Sequence, residues 1–347
     1  MEADHNGATP QDPLAATTQP CADQPISLDD TFGDYAYGVV QKTVNRIVKY
    51  EAAVLDDRDP EPLHQMRVGM RRLRAALHLC NPALQMPKAA GDRTIQKMSR
   101  CLGALRDLDV LIEKLQQYHP AVQGKARKAL NKIIAKLQKH RHQSFAEVEA
   151  MLKGDRYHRF KSAYTAWLNE PQYRAIAAYP VQTIIPDVLA PGLSALLLHP
   201  GWLFCVIPAQ TPLTPSRLSA GALHQVLTQH GDVLHDLRKQ IKRVRYQMEF
   251  FKPRCPQFSV WILDFKAMQD ALGLLQDCAV LRSTLSAYAG KDWDQPMAAI
   301  AHLIQHDEIN AWQQWQPYQA QFLRADYRTQ VWSEFCALSY PPRIVSN

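Results

Sequence analysis

The sequence predicts an all-α protein built from two similar helical halves. From Leu28 onward, apolar residues recur at helical spacing almost throughout, and the alternation that is typical of strands is almost absent. The 347 residues include only 14 glycines, and the 23 prolines cluster at the ends of segments, where they separate helices. An apolar content of 46% is enough for one large or two ordinary domains.

The N-terminal segment, residues 1–27, is predicted to be a disordered acidic tail, because it is rich in Ala, Thr, Gln and Pro and has no hydrophobic period. Residues 1–30 contain six acids and no Lys or Arg. The whole chain carries a charge of +7 and residues 1–30 carry −6, so residues 31–347 carry +13. A body this basic indicates a polyanionic partner, which is a nucleic acid, an anionic membrane or a phosphate polymer.

Composition argues against several classes of protein. The N-terminus has neither an apolar core nor an Arg-rich stretch, so we expect no secretory or organellar leader. The most apolar run, residues 192–208, is broken by Ser194, His199 and Pro200, so we expect no transmembrane helix. The seven cysteines are far apart and form no C-x-x-C pair, which argues against disulfides and a cysteine-based zinc site. We therefore expect a soluble, cytoplasmic protein with reduced cysteines.

Local signals predict two helix starts. The run Asp59-Pro60-Glu61-Pro62 combines an acidic N-cap with proline at the first helical position. Ser27 and Asp30 form a capping pattern at the start of the helical body. One short segment, Trp202 to Ile207, favours a strand by composition and is followed closely by proline.

Two blocks of sequence occur twice in the same order. The block His64-Gln-Met-Arg67-Val-Gly-Met-Arg71-Arg72-Leu-Arg74 is echoed 171 residues later by His235-Asp-Leu-Arg238-Lys-Gln-Ile-Lys242-Arg243-Val-Arg245. The block Leu102-Gly103-Ala104-Leu105-Arg106-Asp107 is echoed 170 residues later by Leu272-Gly273-Leu274-Leu275-Gln276-Asp277. We therefore predict two halves, residues 28–190 and 191–340, each of about four long helices in a bundle.

Both copies of the first block form a cationic stripe when they are placed on a helix. Residues 64–74 hold four arginines and no acid, although like charges at i,i+4 destabilise a helix by roughly 0.2–0.5 kcal/mol per pair. A solvated face normally mixes signs, so the stripes indicate a function, and the planar fork of arginine matches phosphate. Each stripe lies within an arc of about 80° beside an apolar face. The stripes consist of His64, Arg67, Arg71, Arg74 and His78, and of His235, Arg238, Lys242 and Arg245.

A third basic stretch, residues 124–142, holds seven Lys or Arg and no acid. It is consistent with an ordinary solvated face and with a further surface for a polyanion. Its aligned lysines are Lys125, Lys128, Lys132, Lys136 and Lys139.

Matched residues of the two halves also have predicted supporting roles. Asp107 and Asp277 occupy equivalent positions, and we expect each carboxylate to pair with a motif arginine and hold its rotamer, rather than to catalyse a reaction. His64 and His235 either donate to phosphate or satisfy a buried helix end. No metal site is expected.

The paired motifs resemble those of the CHAD family, the conserved histidine α-helical domain, over roughly residues 28–340. The resemblance implies two four-helix bundles related by a pseudo-twofold axis, with a basic cleft between them that binds inorganic polyphosphate. It also implies an association with bacterial polyphosphate granules. Carried over position by position, it places along the cleft His64, Arg67, Arg71, Arg72, Arg74, His235, Arg238, Lys242, Arg243 and Arg245.

The polyphosphate-binding set is completed by His78, Arg106, Lys239 and the five aligned lysines. The second half departs from the pattern at Gln276, which matches Arg106, and at Ala279, which matches Asp109. We therefore expect the second half to bind polyphosphate less tightly than the first half does. We expect a non-enzymatic protein that needs no cofactor, whose partners are polyphosphate and enzymes that metabolise it.

Three alternatives stay open. An enzyme or regulator of polyphosphate or triphosphate hydrolysis is disfavoured, because the chain has no P-loop, Glu147 and Glu149 lack the final lysine of an ExExK signature, and the pair His302 and His306 has no third metal ligand in view. Sequence-independent nucleic-acid binding is allowed by charge, but the stripes lack Asn and, apart from Tyr246, aromatic residues. Membrane binding ranks last, because the bundle core needs the apolar faces.

Overall fold

The computed structural model describes residues 30–207 and 213–339, and within these ranges the regular structure is helical, with no strand. The all-α prediction is confirmed. The segment expected to favour a strand instead contains the end of a 3₁₀ turn, Pro200–Leu203, followed by a single bridge between Val206 and Pro215. The tail predicted for residues 1–27 lies outside the described residues.

The helices are joined mostly by short turns. In the first part of the chain they are α1 Phe32–Lys49, α2 Glu51–Asp56, α3 Pro60–Cys80, α4 Asp92–Tyr118, α5 Gly124–Lys153 and α6 Asp155–Asn169. In the second part they are α7 Val181–Leu197, α8 Ala220–Phe251, α9 Phe258–Ala289, α10 Ala298–Leu323 and α11 Ala325–Ser339.

One of the two predicted helix starts is confirmed. Asp59 is the N-cap of α3, its carboxylate accepts a hydrogen bond of 2.9 Å from the backbone N–H two residues on, and Pro60 is the first helical residue. At α1 the structure differs, because the hydroxyl of Thr31 caps the helix by accepting a hydrogen bond of 3.1 Å from the N–H of Asp34. Ser27 lies outside the described residues.

The long helices pack in the same order in both parts of the chain. In the first part α1 packs on α3, α3 on α4 and α4 on α5, and in the second part α7 packs on α8, α8 on α9 and α9 on α10. The two parts meet where α3 contacts α8. This order is what an internal repeat would produce, while the grouping into two four-helix bundles about a pseudo-twofold axis stays a prediction.

The boundary expected near residue 190 needs correction. Residues 190 and 191 lie inside α7, which continues through Pro186 and Pro191. Prolines often separate helices, yet a helix can contain them when packing satisfies the freed backbone groups. A division between the two packing series therefore falls before Val181.

Two apolar cores connect the halves. The larger core joins residues of α1 and α3, such as Val44 and Met70, to residues of α8, such as Val244. The smaller core joins the last part of α4 and the first part of α5 to the end of α9 and the start of α10, with Leu115 and Ile300 among its fully buried members. The halves are therefore held together at the α3–α8 contact and again at the far ends of α4, α5, α9 and α10.

One described segment, Val181–Leu203, has the length and the apolar composition that a membrane crossing needs. It overlaps the run at residues 192–208, for which the sequence predicts no transmembrane helix. In the structure α7 packs on α8 and α11, and Ile185, Leu189 and Leu193 are buried in the larger core. These apolar side chains therefore have a packing role in the fold.

The cysteines of the described ranges are all free thiols. Cys80, Cys255 and Cys278 are buried, and burial raises the pKa of each thiol. Cys21 lies outside the described residues.

Candidate functional site

The contact between α3 and α8 gathers positive charge. Each helix carries its stripe at helical spacing, so the two stripes meet where the helices pack together. Burial lowers the pKa of the Arg71 guanidinium, and the charges of three arginines, one on α3 and two on α8, lower it further. We call this group the cationic cluster, and its members are Arg67, Arg71, Arg238, Lys242 and Arg245.

Lys242 is the most strongly affected member of the cationic cluster. Burial lowers the pKa of its ammonium group from an ordinary value of 10.5 to about 7, and the four arginines of the cluster act in the same direction. Because the folded protein keeps these charges close together without full compensation, it holds a positive potential that an anion can relieve.

Carboxylates neutralise the edges of the cluster. Asp107 on α4 lies 3.1 Å from Arg67, which is the pairing that the sequence predicts. Arg245 forms an ion pair with Glu249 and donates a hydrogen bond of 3.2 Å to the side chain of Gln269. Burial raises the pKa of Asp277, and the nearby charge of Arg238 opposes this shift.

The middle of the cluster has no such compensation. Within residues 30–207 and 213–339, neither Arg71 nor Lys242 has an acidic partner within 4 Å. The Nε atom of Arg71 is buried and has no hydrogen-bond partner there. An unsatisfied buried donor of this kind is costly unless a ligand completes it. These two cations are therefore the best placed to receive an anion.

Two glycines of the second repeated block lie next to two motif arginines. On α9, a Cβ atom at Gly273 would lie 2.9 Å from Nη2 of Arg238. On α4, a Cβ atom at Gly103 would lie 3.5 Å from Nε of Arg67. The close approach of Arg238 therefore explains the glycine at position 273 despite its low helix propensity, whereas the space beside Gly103 would admit a Cβ atom.

These distances predict unequal effects of Gly→Ala at the two sites. We expect Gly273→Ala to displace the Arg238 guanidinium and weaken anion binding about fivefold, because a contact of 2.9 Å must be relieved. Gly103→Ala meets ordinary contact distances, so its effect on binding should be smaller. Both changes should stabilise the helices by up to about 1 kcal/mol. Thermal melts and anion titrations of both variants would measure this, and equal losses of affinity would contradict it.

The motif histidines face equivalent positions on the next helix. Burial lowers the pKa of His64, and the nearby Arg106 lowers it further. Burial also lowers the pKa of His235, whose side chain is hydrogen-bonded to Gln276. Both imidazoles are therefore mainly neutral at physiological pH, so they would bind an anion as hydrogen-bonding groups rather than as cations.

Three predicted residues are engaged with other partners. Arg74 donates two hydrogen bonds to Asp92, at 2.7 and 3.3 Å, and His78 lies 3.4 Å from the same carboxylate. Arg72 pairs with Glu249 at 2.9 Å, which ties α3 to α8 beside the cluster. Each of these side chains therefore has an acidic partner in the structure, and its role in polyphosphate binding stays a prediction.

The remaining predicted cations lie on exposed surface. Lys239 pairs with Asp236 at 2.6 Å, and Arg243 is exposed. The five aligned lysines of α5 are all exposed, and one of them, Lys136, lies 5.8 Å above the ring of Tyr288 on α9. The row lies on α5, which packs chiefly on α4, whereas the cluster lies on α3 and α8. They are Lys125, Lys128, Lys132, Lys136 and Lys139.

Sequence reasoning missed several residues that shape the site. Gly103 and Gly273 were noted as part of an echo, but no role was assigned to them. Glu249 follows Arg245 by four residues on the same helix, and this spacing was an available signal. Gln269 had no signal, because its contact with Arg245 depends on how α8 and α9 pack.

The alternative of a metal pair finds little support in the described part of the chain. No group of three or more His, Cys, Asp or Glu side chains is placed there to hold a metal ion. His306 instead lies 3.0 Å from the side-chain amide of Asn310.

A family profile decides how this fold and this cluster are classified. The CHAD domain profile matches residues 38–286, which is most of the chain and includes both motif helices. The chain belongs to the CHAD family. CHAD proteins are associated with the binding of polyphosphate and triphosphate.

Solved structures share the CHAD fold of this chain. The crystal structure of the CHAD domain from the plant Ricinus communis matches with a TM-score of 0.58 at 23% identity, covering 92% of this chain and 98% of that chain. PptA from Streptomyces chartreusis matches with a TM-score of 0.57 at 15% identity, covering 83% of this chain and 99% of that chain. At these identities the two structures show a common fold. No curated protein matches the chain.

Proposed function

We propose that this CHAD protein binds inorganic polyphosphate at the cationic cluster and does not hydrolyse it. The observation that carries the proposal is the meeting of two cationic stripes at the α3–α8 contact. Arg71 and Lys242 stand there without an acidic partner in the described part of the chain. Guanidinium groups donate paired hydrogen bonds to phosphate oxygens and keep their charge at physiological pH.

A phosphate polymer suits the cluster better than a single phosphate. The five cations come from two helices, so their repulsion is relieved best by several negative charges in a row. Once one phosphate is bound, its neighbours on the same chain are held close to the remaining cations at high effective concentration. Long chains should therefore bind more tightly than triphosphate.

The carboxylates near the cluster favour binding over hydrolysis. Asp107 is paired with Arg67, and Asp277 lies close enough to Arg238 for the two charges to interact. We therefore assign to each carboxylate the supporting role that the sequence predicts for it, which is to position a guanidinium. The proposal accordingly includes no cofactor and no catalytic residue.

The cellular setting forms part of the same proposal. The protein would act in the cytoplasm, on polyphosphate granules, and the enzymes that make or degrade polyphosphate would be its further partners. A binder without activity of its own can hold the polymer for such enzymes.

A competition titration tests the proposed function. Labelled long-chain polyphosphate is titrated with the protein at several salt concentrations, with triphosphate and a duplex DNA of comparable total charge as competitors. We expect polyphosphate to stay bound near physiological salt while both competitors fail to displace it at matched phosphate concentration. After incubation with Mg²⁺, chain length on a gel should be unchanged and no orthophosphate should be released.

Two results would contradict the proposal. Equal competition by DNA, with all binding lost at modest salt, would make the stripes a general cationic surface, because counterion release favours any polyanion. Shortening of the polymer by the purified protein would establish an enzyme.

A further inference from the structure

A cavity of about 810 Å³ adjoins the cationic cluster in the second half of the molecule. It lies between the first part of α8, the later part of α9 and α10, and its volume is typical of a small-molecule site. His235 and Gln276, which are hydrogen-bonded to each other beside the cluster, belong to its lining. Cavity and cluster therefore share a wall, and a ligand could extend from one into the other.

The cavity includes both positions at which the second half departs from the repeat. Gln276 matches Arg106 of the first half, and Ala279 matches Asp109. In the first half Asp109 accepts a hydrogen bond of 2.9 Å from Arg141, which also binds Asp57. Ion-paired side chains thus occupy the space near the first motif. The second half has a small alanine side chain at the equivalent position.

The inner end of the cavity is balanced in charge. Arg282 donates hydrogen bonds of 2.9 and 3.0 Å to the buried carboxylate of Glu308, and Nδ1 of His224 lies 3.4 Å from the same carboxylate. Across the whole lining, two cations, Arg282 and Lys291, face three acids, Asp232, Asp294 and Glu308, so the cavity has no surplus of positive charge like that of the cluster. A second phosphate group would gain little there, so the cavity suits an uncharged, polar part of a ligand.

The wall of the cavity offers both apolar and hydrogen-bonding surface. Leu227, Leu272 and Leu275 supply apolar side chains. Thr228, Ser283 and Asp294 supply hydroxyl and carboxylate groups that bind N–H and O–H groups. A planar heterocycle with polar edges, joined to a hydroxyl-bearing sugar, matches this combination.

We infer that the cavity takes the base and sugar of a nucleotide whose phosphates lie in the cationic cluster. The phosphates would pass His235 to reach Arg238, which lies three residues further along α8, at a rise of about 4.5 Å. The inference rests on the proposed function for the phosphate end of the ligand. It adds a second ligand class, nucleoside polyphosphates, which the chain would distinguish from inorganic triphosphate.

Calorimetric titrations with ATP, GTP and inorganic triphosphate test the inference at one pH and one salt concentration. At least one nucleotide should bind about tenfold more tightly than triphosphate, because the cavity adds contacts that triphosphate cannot make. Ala279→Trp should obstruct the cavity and remove this advantage, while the affinities for triphosphate and long-chain polyphosphate stay unchanged. Ala279 is exposed on α9, so the helix should tolerate the larger side chain.

A matched control is available at the next residue of α9. Val280 is exposed, at 43% of its full surface, and does not line the cavity. Val280→Trp adds an indole to the same helix and should leave the affinities for nucleotide, triphosphate and polyphosphate unchanged. It therefore separates filling of the cavity from a general effect of a bulky side chain.

The outcomes distinguish the cavity from the cluster. If triphosphate and both nucleotides bind the wild-type protein equally, the inference is wrong while the cluster can still bind phosphate. The inference is also wrong if Ala279→Trp weakens the binding of all three ligands and of long-chain polyphosphate to the same extent. If neither triphosphate, nucleotides nor polyphosphate binds, the proposed function fails as well.

Discussion

Replacing Arg71 and Arg238 together by glutamine is expected to weaken the binding of long-chain polyphosphate by about 100-fold. The double variant removes one cation from each of the two motif helices. A hydrogen bond to a charged group contributes about 1.5–3 kcal/mol, so two such contacts account for roughly two factors of ten in affinity. The measurement is a fluorescence titration at fixed salt, repeated at several salt concentrations to obtain the salt dependence.

The double variant should lose affinity for polyphosphate without becoming less stable. Burial and neighbouring cations lower the pKa of Arg71, and its Nε atom is buried without a hydrogen-bond partner. This charge therefore destabilises the folded protein. Its removal should leave the melting temperature unchanged or raise it. Stability gained at the expense of binding is common at functional sites.

The matched control removes two charges elsewhere. Arg156 and Arg159 are exposed on α6, and Arg156→Gln combined with Arg159→Gln lowers the net charge by the same amount. This control should keep its affinity within about twofold, because exposed charges act weakly at physiological salt. If both double variants lost the same affinity for polyphosphate, the cluster would not be the binding site. Unchanged affinity in a folded Arg71/Arg238 variant would lead to the same conclusion.

Replacing Lys242 by methionine is expected to stabilise the ligand-free protein and to weaken polyphosphate binding. A lysine whose pKa is near 7 in the folded state and 10.5 in the unfolded state destabilises the fold at neutral pH by up to about 4 kcal/mol. Methionine fills similar space without the charge. Urea unfolding at pH 7 should therefore give a larger free energy of unfolding for Lys242→Met than for the wild type.

The sign of the pH dependence follows from the lowered pKa of Lys242. Between pH 7 and 10.5 the unfolded chain binds this proton and the folded chain does not, so the contribution of Lys242 to stability rises with pH in this window. Methionine has no such contribution. The difference in unfolding free energy between variant and wild type should therefore shrink as pH rises from 7 toward 10.

Polyphosphate binding should show the opposite trend with pH. A bound polyanion favours the protonated lysine, so the wild-type affinity should fall by about tenfold between pH 6 and pH 8. Burial lowers the pKa of His64 and of His235 from the ordinary value of 6.5, so both imidazoles are mainly neutral at pH 7 and above. Lys242→Met should bind polyphosphate with nearly constant affinity between pH 6 and pH 8. A wild-type affinity that does not change from pH 6 to pH 8.5 would refute the role of Lys242.

Much of the fold could be predicted from local pattern and from the repeat. Helical periodicity and the scarcity of strand signals are local properties, and they were sufficient for the all-α architecture. The start of α3 followed from Asp59 and Pro60, whose preferences at helix ends have a simple chemical cause. The interior prolines of α7 show the limit of this reasoning, because tertiary packing overrode the local preference.

The candidate site was predictable in part. The spacing of Arg67, Arg71 and Arg238 identified the cationic stripes, because spacing on a helix is fixed by its geometry. The partners of Arg72 and Arg74 were not predictable, since Glu249 and Asp92 approach them from other helices. The same limit explains why the cavity beside His235 had no sequence signal beyond the two departures from the repeat.

The cationic cluster draws on equivalent positions of two helices, with Arg67 matched by Arg238 and Arg71 by Lys242. An inorganic polyphosphate chain has two identical ends and reads the same in both directions. Turning such a polymer end for end therefore leaves its contacts with the cluster unchanged. The unequal side chains at Arg106 and Gln276 distinguish the two halves of the protein, so only a ligand whose two ends differ can respond to them. A ligand with one distinct end would bind in a single direction.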